Sequence, residues 1–394
     1  MPIVITMPQT TRHDVLMELL ALPTAPLNEG HVADYVRGWA DRRPAIRFAQ
    51  DRFGNIVLRL RRGRGTQPPL VLCAHMDHPG FEARRMTGPR RLQADWRGWV
   101  HPDYFVGSRV RFHVDGRWVR GTIREVVVGK VRGRQRVKTA GIDVVRPVPP
   151  GAIGMWDLPE PVIRGERVYA RGCDDIAGVA TILAALDELR RGRRPVNVLA
   201  LLTRAEEIGF GGALAACRAG TIPRRARVVA VETSSQIAGA RMGEGPILRV
   251  GDWAAVFSPG LTAFCRQVAA DLARKDRAFR FQRKLMDGGT CESTAYHAHG
   301  HETTGLCMAL GRYHNMDTRR KRIAPEYIHV QDYENLVRWF VALATTRRRY
   351  DGRQGVDEML GRLERELLPQ LERSAGRVRR TQRAGNRQRS EPRP

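Results

Sequence analysis

Helical and strand-like patterns alternate along most of this 394-residue chain, and that alternation limits the fold more than any other feature. Pro69-Leu-Val-Leu-Cys-Ala-His75 is a short and almost wholly apolar run, the pattern of a strand buried on both faces. Apolar residues recur at helical spacing in Ile176 to Leu189, followed by a strand at Val196 to Leu202, a helix at Gly211 to Ala219 and a strand at Arg227 to Val231. The series continues with a helix at Leu261 to Ala273, a strand at Thr304 to Leu310 and a helix at Val330 to Thr346. Repeated strand, helix, strand order implies a mostly parallel central sheet flanked by helices. Two helices, Asp14 to Leu22 and His31 to Ala40, and a turn at Asp51-Arg-Phe-Gly-Asn55 come before it.

From about Arg91 to Pro161 the pattern changes to short alternating β segments, Arg109 to His113, Trp118 to Val128 and Val137 to Val148, punctuated by glycine and proline. The expectation is an α/β fold carrying an inserted small all-β, barrel-like domain. Residues 1–90 and 162–350 then form one discontinuous domain, 91–161 the insert, and 351–394 an appendage. In the appendage, Asp357 to Arg373 suits a helix interrupted near Pro369, and the arginine-rich tail beyond it suits disorder.

The length exceeds what one hydrophobic core usually fills, in line with two packed units. Met1 to Thr11 lacks a basic segment followed by a long apolar one, and Ile176 to Leu186 is too short to span a bilayer, so the expectation is a soluble cytoplasmic protein with no membrane partner. Cys73, Cys173, Cys217, Cys265, Cys291 and Cys307 are scattered without a Cys-x-x-Cys pair, which fits neither a disulfide framework nor a zinc ribbon. The net charge of +26 suggests nucleic acid at first sight. Yet only five of the 67 basic residues are lysine, the charge is spread along the chain, and no basic motif interleaved with aromatics offers stacking for bases. A general preference for arginine accounts for the charge better than a phosphate-binding face.

Chemistry concentrates at the ends of the expected strands. His75-Met-Asp77 follows the strand ending near Ala74, Glu206-Glu207 the strand ending near Leu202, Glu232 the strand ending at Val231, and His314 the strand ending at Leu310. Asp174-Asp175 stands just before the helix that starts at Ile176. In open α/β sheets the carboxyl ends of the strands form the rim where sites are built. Taken singly, His75 suits a packed strand end and Glu206-Glu207 an acidic helix start; as a set converging on one rim they do not. His297, His299 and His301 alternate at a spacing that suggests a separate metal site, although a polar helix end or loop explains them better. Two histidines with three or four carboxylates suit divalent ions such as Zn²⁺. With one bridging carboxylate, two ions sit roughly 3.5–4 Å apart and favour hydrolysis.

Those residues resemble a known family. Ala74-His-Met-Asp77, Asp174-Asp-Ile-Ala-Gly178, Glu206-Glu-Ile-Gly-Phe-Gly-Gly212, Val229 to Thr233, Gly288-Gly-Thr290 and Gly311-Arg-Tyr-His314 are similar, in order and around an inserted β module, to the co-catalytic metallopeptidases that include tetrahedral and glutamyl aminopeptidases. The resemblance spans about Leu16 to Ala344 and implies His75 and His314 as terminal ligands of two ions, Asp174 as their bridge, and Glu207 and Glu232 as one further ligand each. It further implies Asp77 as acceptor of the His75 imidazole N–H and Glu206 as general base. The implied cofactors are two divalent metal ions, zinc first, with cobalt or manganese as alternatives; the implied partners are a peptide substrate and further copies of the chain in a homo-oligomer. The sequence departs from that pattern at Glu232, where aspartate is commoner, at Ile176, at Cys291, which stands where an aspartate is expected, and around His314-Asn-Met316. The expected function is removal of N-terminal residues from peptides, with hydrolysis of acylated amino acids or other small amides as one alternative and an inactive basic nucleic-acid-binding protein as the other.

Overall fold

The computed structural model describes residues 11–63, 67–131, 133–352 and 356–389; the segment Met1 to Thr10, read above for a leader, lies outside them, as do residues 390–394 of the tail. Eight strands form the main sheet. They are β1 (Ile46–Gln50), β2 (Ile56–Arg62), β3 (Leu70–His75), β12 (Val196–Thr203), β13 (Arg227–Ser235), β14 (Ile247–Asp252), β15 (Gln282–Met286) and β16 (Glu302–Leu310), and their order in space is β1-β2-β12-β3-β13-β16-β14-β15. The centre is parallel: β12 pairs with β3, β3 with β13, and β13 with β16. Every residue of β3 is buried, as its unbroken apolar run required.

Helices cover both faces. The longest core helix, α3 (Cys173–Arg191), is buried from Cys173 through Asp187, and packs with α1 (Arg12–Ala21) and α7 (Val330–Thr345) over one face. Its companions in chain order are α2 (Gly30–Asp41), α4 (Gly211–Ala219), α5 (Pro259–Lys275) and α6 (Glu292–Ala298). The strands β14 and β15 and the helix α6 were not read from the sequence. Gln282–Met286 runs Gln-Arg-Lys-Leu-Met at the sheet edge, three polar residues before two apolar ones, and Glu292–Ala298 is only 7 residues long, so neither offers a sustained period.

Between β3 and α3 stand β4 (Gly80–Gly88), β5 (Arg91–Arg97), β6 (Arg109–Val114), β7 (Arg117–Val131), β8 (Arg134–Val144) and β9 (Ile153–Trp156), closed as a barrel in the order β4-β5-β8-β7-β6-β9. The barrel opens at Gly80, ahead of the texture change at Arg91, because β4 carries two arginines and reads as polar. Its interior is aromatic: Phe81, Trp96 and Phe105 surround Trp156 with ring centroids 5.2–5.3 Å away. Phe112 fills the remaining space because position 154 is glycine; a Cβ there would lie 2.4 Å from the Phe112 ring.

Two small sheets join barrel and body, one of β10 (Val162–Arg164), β11 (Arg167–Ala170) and β19 (Glu326–His329), the other of β17 (Met316–Asp317) and β18 (Arg322–Ile323). The appendage corrects the sequence reading. It is one helix, α8 (Asp357–Arg389), running through Pro369 into the arginine-rich segment expected to be disordered. A single proline removes one backbone hydrogen bond and bends a helix without having to end it. Among the described residues no helix is long and apolar enough to cross a membrane.

Gly154→Ala is expected to lower stability by about 1–3 kcal/mol through overpacking against Phe112. Adding Phe112→Leu should recover part of that loss, both read by thermal unfolding.

Candidate metal centre

Four adjacent strands deliver the site. His75 is the last residue of β3, Glu206 and Glu207 lie in the loop after β12, Glu232 sits on β13, and His314 follows β16 in a short 3₁₀ turn. Because β12, β3, β13 and β16 are neighbours, their carboxyl ends place these side chains around one point. Asp174 arrives from the opposite direction, in the non-helical first turn of α3, where the Asp174-Asp175 peptide is cis. The order read from the sequence is therefore brought together in space, with Glu232 placed inside its strand rather than after it, since β13 runs on to Ser235.

Asp174 is the hub. Its Oδ1 lies 3.4 Å from His75 Nε2 and its Oδ2 lies 3.7 Å from His314 Nε2, so each oxygen of one carboxylate faces a different histidine. His75 Nε2 is also 3.8 Å from Glu232 Oε2 and 3.9 Å from Glu206 Oε2, while Glu207 Oε2 is 3.1 Å from His314 Nε2. Two groups with ligand spacing result, His75 with Asp174 and Glu232, and Asp174 with Glu207 and His314. His75 also clusters with Glu206 and Glu207. His297, His299 and His301 join no such group among the described residues, and His299 Nδ1 instead donates to the Ala295 carbonyl at 2.8 Å.

Main-chain carbonyls fix both imidazoles. His75 Nδ1 lies 3.0 Å from the Asp77 carbonyl and His314 Nδ1 2.6 Å from the Trp99 carbonyl. A carbonyl only accepts, so each Nδ1 carries a proton and each Nε2 faces the carboxylates, donating to them while the ring is charged and offering them no proton, only a lone pair, once it is neutral. Residue 77 thus orients His75 through its backbone at 3.0 Å, with its carboxylate farther off at 3.6 Å. That carboxylate accepts from the Glu206 and Glu207 amides at 2.9 and 3.1 Å, and so holds the loop that carries the two glutamates. Gly212 lies behind that loop: a Cβ there would be 2.4 Å from the Arg204 amide nitrogen. Several neighbouring residues adopt left-handed backbone, among them Ala205 (φ 55°), Phe210 (φ 60°) and His314 (φ 51°). Such strain persists where the surroundings over-determine it, as they do at functional sites.

Burial sets the electrostatics. His75, Asp174, Glu207, Glu232 and His314 are all buried, and Asp174 Oδ1, Glu207 Oε1 and Glu232 Oε1 have no hydrogen-bond partner. Burial pushes Glu232 up to about 8 against the pull of His75. It drives Glu206 well above the usual carboxylate range, helped by Glu232 and Glu207 and opposed by His75. Burial alone would depress both histidines, but Asp174 and Asp77 raise His75 well above its ordinary value, and Glu207 carries His314 to about 9. Orphaned carboxylate oxygens paired with fixed imidazole lone pairs are the donor set that divalent cations satisfy. Donor types and placement define the centre of a metal-dependent hydrolase.

Several residues around this centre were given no role from the sequence. Asp175 is fully buried with neither oxygen paired, and the absent side chain of Gly178 leaves it room, since a Cβ there would lie 2.3 Å from Asp175 Oδ1. Glu326 accepts the Asp174 amide at 3.1 Å, and His78 Nδ1 donates to the Asp174 carbonyl at 2.6 Å, so both hold the bridge position. Glu292, pushed up to about 7 by burial, lies within the field of His75. Tyr313 stacks on the His314 ring at 3.7 Å. Only Asp175 and Tyr313, adjacent to ligands in the chain, left any mark in the sequence.

Comparison with known proteins agrees with the geometry. The model of the M42 glutamyl aminopeptidase family matches residues 54–338. Among solved structures, an aminopeptidase from the archaeon Desulfurococcus kamchatkensis is 22% identical, over 85% of this chain and 95% of that one, with a TM-score of 0.69. The TET1 peptidase of Pyrococcus horikoshii, which assembles into a tetrahedron or a large octahedral shell, is 19% identical over 85% and 100%, with a TM-score of 0.68. A TET aminopeptidase from a marine-sediment Thaumarchaeota archaeon is 18% identical over 86% and 98%, with a TM-score of 0.69. The chain belongs to the M42 glutamyl aminopeptidase family and is a metal-dependent aminopeptidase.

Metal-free protein should lose stability as pH rises. Glu232 favours its neutral form in the fold, so its contribution fades from about 4.5 to about 8; His314 favours its charged form, so its contribution is complete below 6.5 and gone by about 9. Calorimetry of chelated protein is expected to give a lower melting temperature at pH 8.5 than at pH 5.5, with added divalent metal raising it more at the higher pH.

Proposed function

We propose that the chain removes N-terminal residues from peptides using two divalent ions, zinc by preference, held as His75, Asp174 and Glu232 on one side and Asp174, Glu207 and His314 on the other. The observation that carries this reading is the division of Asp174, with one oxygen toward each histidine. A bridging carboxylate needs that placement, and a single-ion site does not. When bound, such a pair supplies Lewis acidity toward a carbonyl and a nucleophile at neutral pH.

The remaining roles belong to the protein's own groups. Glu206 is the general base: its carboxylate reaches the same imidazole as Asp174 and Glu232, and burial raises its proton affinity, so that its ionised form takes a proton and passes it to the leaving amine. Asp77 positions Glu206 by holding its amide. Arg249, buried, with Nη1 donating to Ser234 Oγ at 2.9 Å, sets a cation behind Glu232, which supports the longer glutamate arm where aspartate is commoner. We place the protein in the cytoplasm as a homo-oligomer, by analogy with relatives that form dodecamers and tetrahedra.

Purified protein supplied with Zn²⁺, Co²⁺ or Mn²⁺ is expected to release p-nitroaniline from amino-acid p-nitroanilides; activity confined to acylated amino acids would move the assignment to small amides, and silence on every substrate would contradict it. Glu206→Gln should keep its metal content by mass spectrometry while turnover falls about 10²- to 10⁴-fold. Asp174→Asn should lose metal as well as turnover.

A further inference from the structure

The helix α8 is left unexplained by the peptidase fold: it begins beyond residue 338, where the family match ends. Its first half carries Met359, Leu360, Leu363, Leu367, Leu368 and Leu371, all 41–61% exposed. At 3.6 residues per turn, Leu360, Leu363, Leu367 and Leu371 share a stripe about 80° wide, with Met359 and Leu368 on its shoulders. Pro369 falls on the opposite side. A stripe of this kind is normally buried against another element.

Charge decides what covers it. Glu364, Glu366 and Glu372 border or lie near the leucines, which opposes seating this stretch on an anionic membrane or nucleic acid. Farther along, residues 373–389 hold seven arginines and no acid. Glu366 and Arg373 stand on the same edge of the stripe, seven residues apart.

We propose that a second copy of this chain covers the stripe, the two α8 helices pairing antiparallel about a centre near Pro369. In that register Leu367 and Leu371 interleave with the same leucines of the second copy. Glu366 of each copy faces Arg373 of the other, so the ion pair forms twice. Antiparallel pairing sends the two arginine-rich ends to opposite ends of the contact, whereas parallel pairing sets fourteen arginines side by side. Pro369 faces outward, where its kink and missing N–H disturb nothing in the seam. This contact lies outside the peptidase fold and is independent of the catalytic assignment.

Sedimentation velocity of the full chain over a concentration series tests the pairing. The variant Leu363→Glu/Leu367→Glu is expected to at least halve the weight-average mass at a concentration where the wild type is assembled, with aminopeptidase turnover per subunit and helix content unchanged. Glu366→Arg alone should weaken association about tenfold, and Glu366→Arg/Arg373→Glu should restore it. Restoration separates pairing from simple unfolding of the helix. Equal mass for wild type and the leucine variant, or no restoration by the charge swap, would overturn the proposal. So would unchanged mass combined with co-sedimentation of wild type, but not the leucine variant, with DNA or with vesicles of anionic lipid.

Discussion

A buried cluster of carboxyl groups at the carboxyl rim is the constraint from which the rest of the molecule follows. Asp174, Asp175, Glu207, Glu232, Glu292 and Glu326 are each buried, and oxygens on all six lack a hydrogen-bond partner. Unpaired buried carboxylates cost several kcal/mol or take up protons instead. Two imidazoles already committed to main-chain carbonyls cannot neutralise them all. Cation binding resolves the conflict, so the fold stores at this rim an unfavourable charge arrangement that becomes favourable when metal enters.

The inserted barrel takes part in that arrangement. Its Trp99 carbonyl fixes the His314 tautomer at 2.6 Å, and Met316 and Ile323, just past His314, pack against the barrel core. One histidine of the candidate centre is thus oriented by a unit that contributes no strand to the main sheet. The other histidine is oriented within its own loop by Asp77. An error in barrel packing would therefore reach the two halves of the centre unequally.

The parallel centre was legible because β3, β12, β13 and β16 are largely buried and contain the apolar stretches Leu70 to Ala74, Val198 to Leu202, Val228 to Val231 and Leu306 to Leu310, each with a charged residue or histidine shortly after it. The convergence of His75, Glu207, Glu232 and His314 was legible for the same reason: the strand ends meet once strand order is known. Glu326 and His78 were hidden because their contacts cross long stretches of chain, 237 residues from His78 to Asn315 and 152 from Asp174 to Glu326, and no local period marks them. The role of Trp99 was hidden more deeply, since a backbone carbonyl has no sequence signature. The length of α8 was misjudged because Pro369 and the arginine run both lower local helix propensity without abolishing it.

The proposed chemistry requires two cations sharing Asp174. Anomalous X-ray diffraction from crystals grown with Zn²⁺ or Co²⁺ tests it most directly. Two peaks are expected, one among His75, Asp174 and Glu232 and one among Asp174, Glu207 and His314; a single peak, or peaks remote from Asp174, would contradict it.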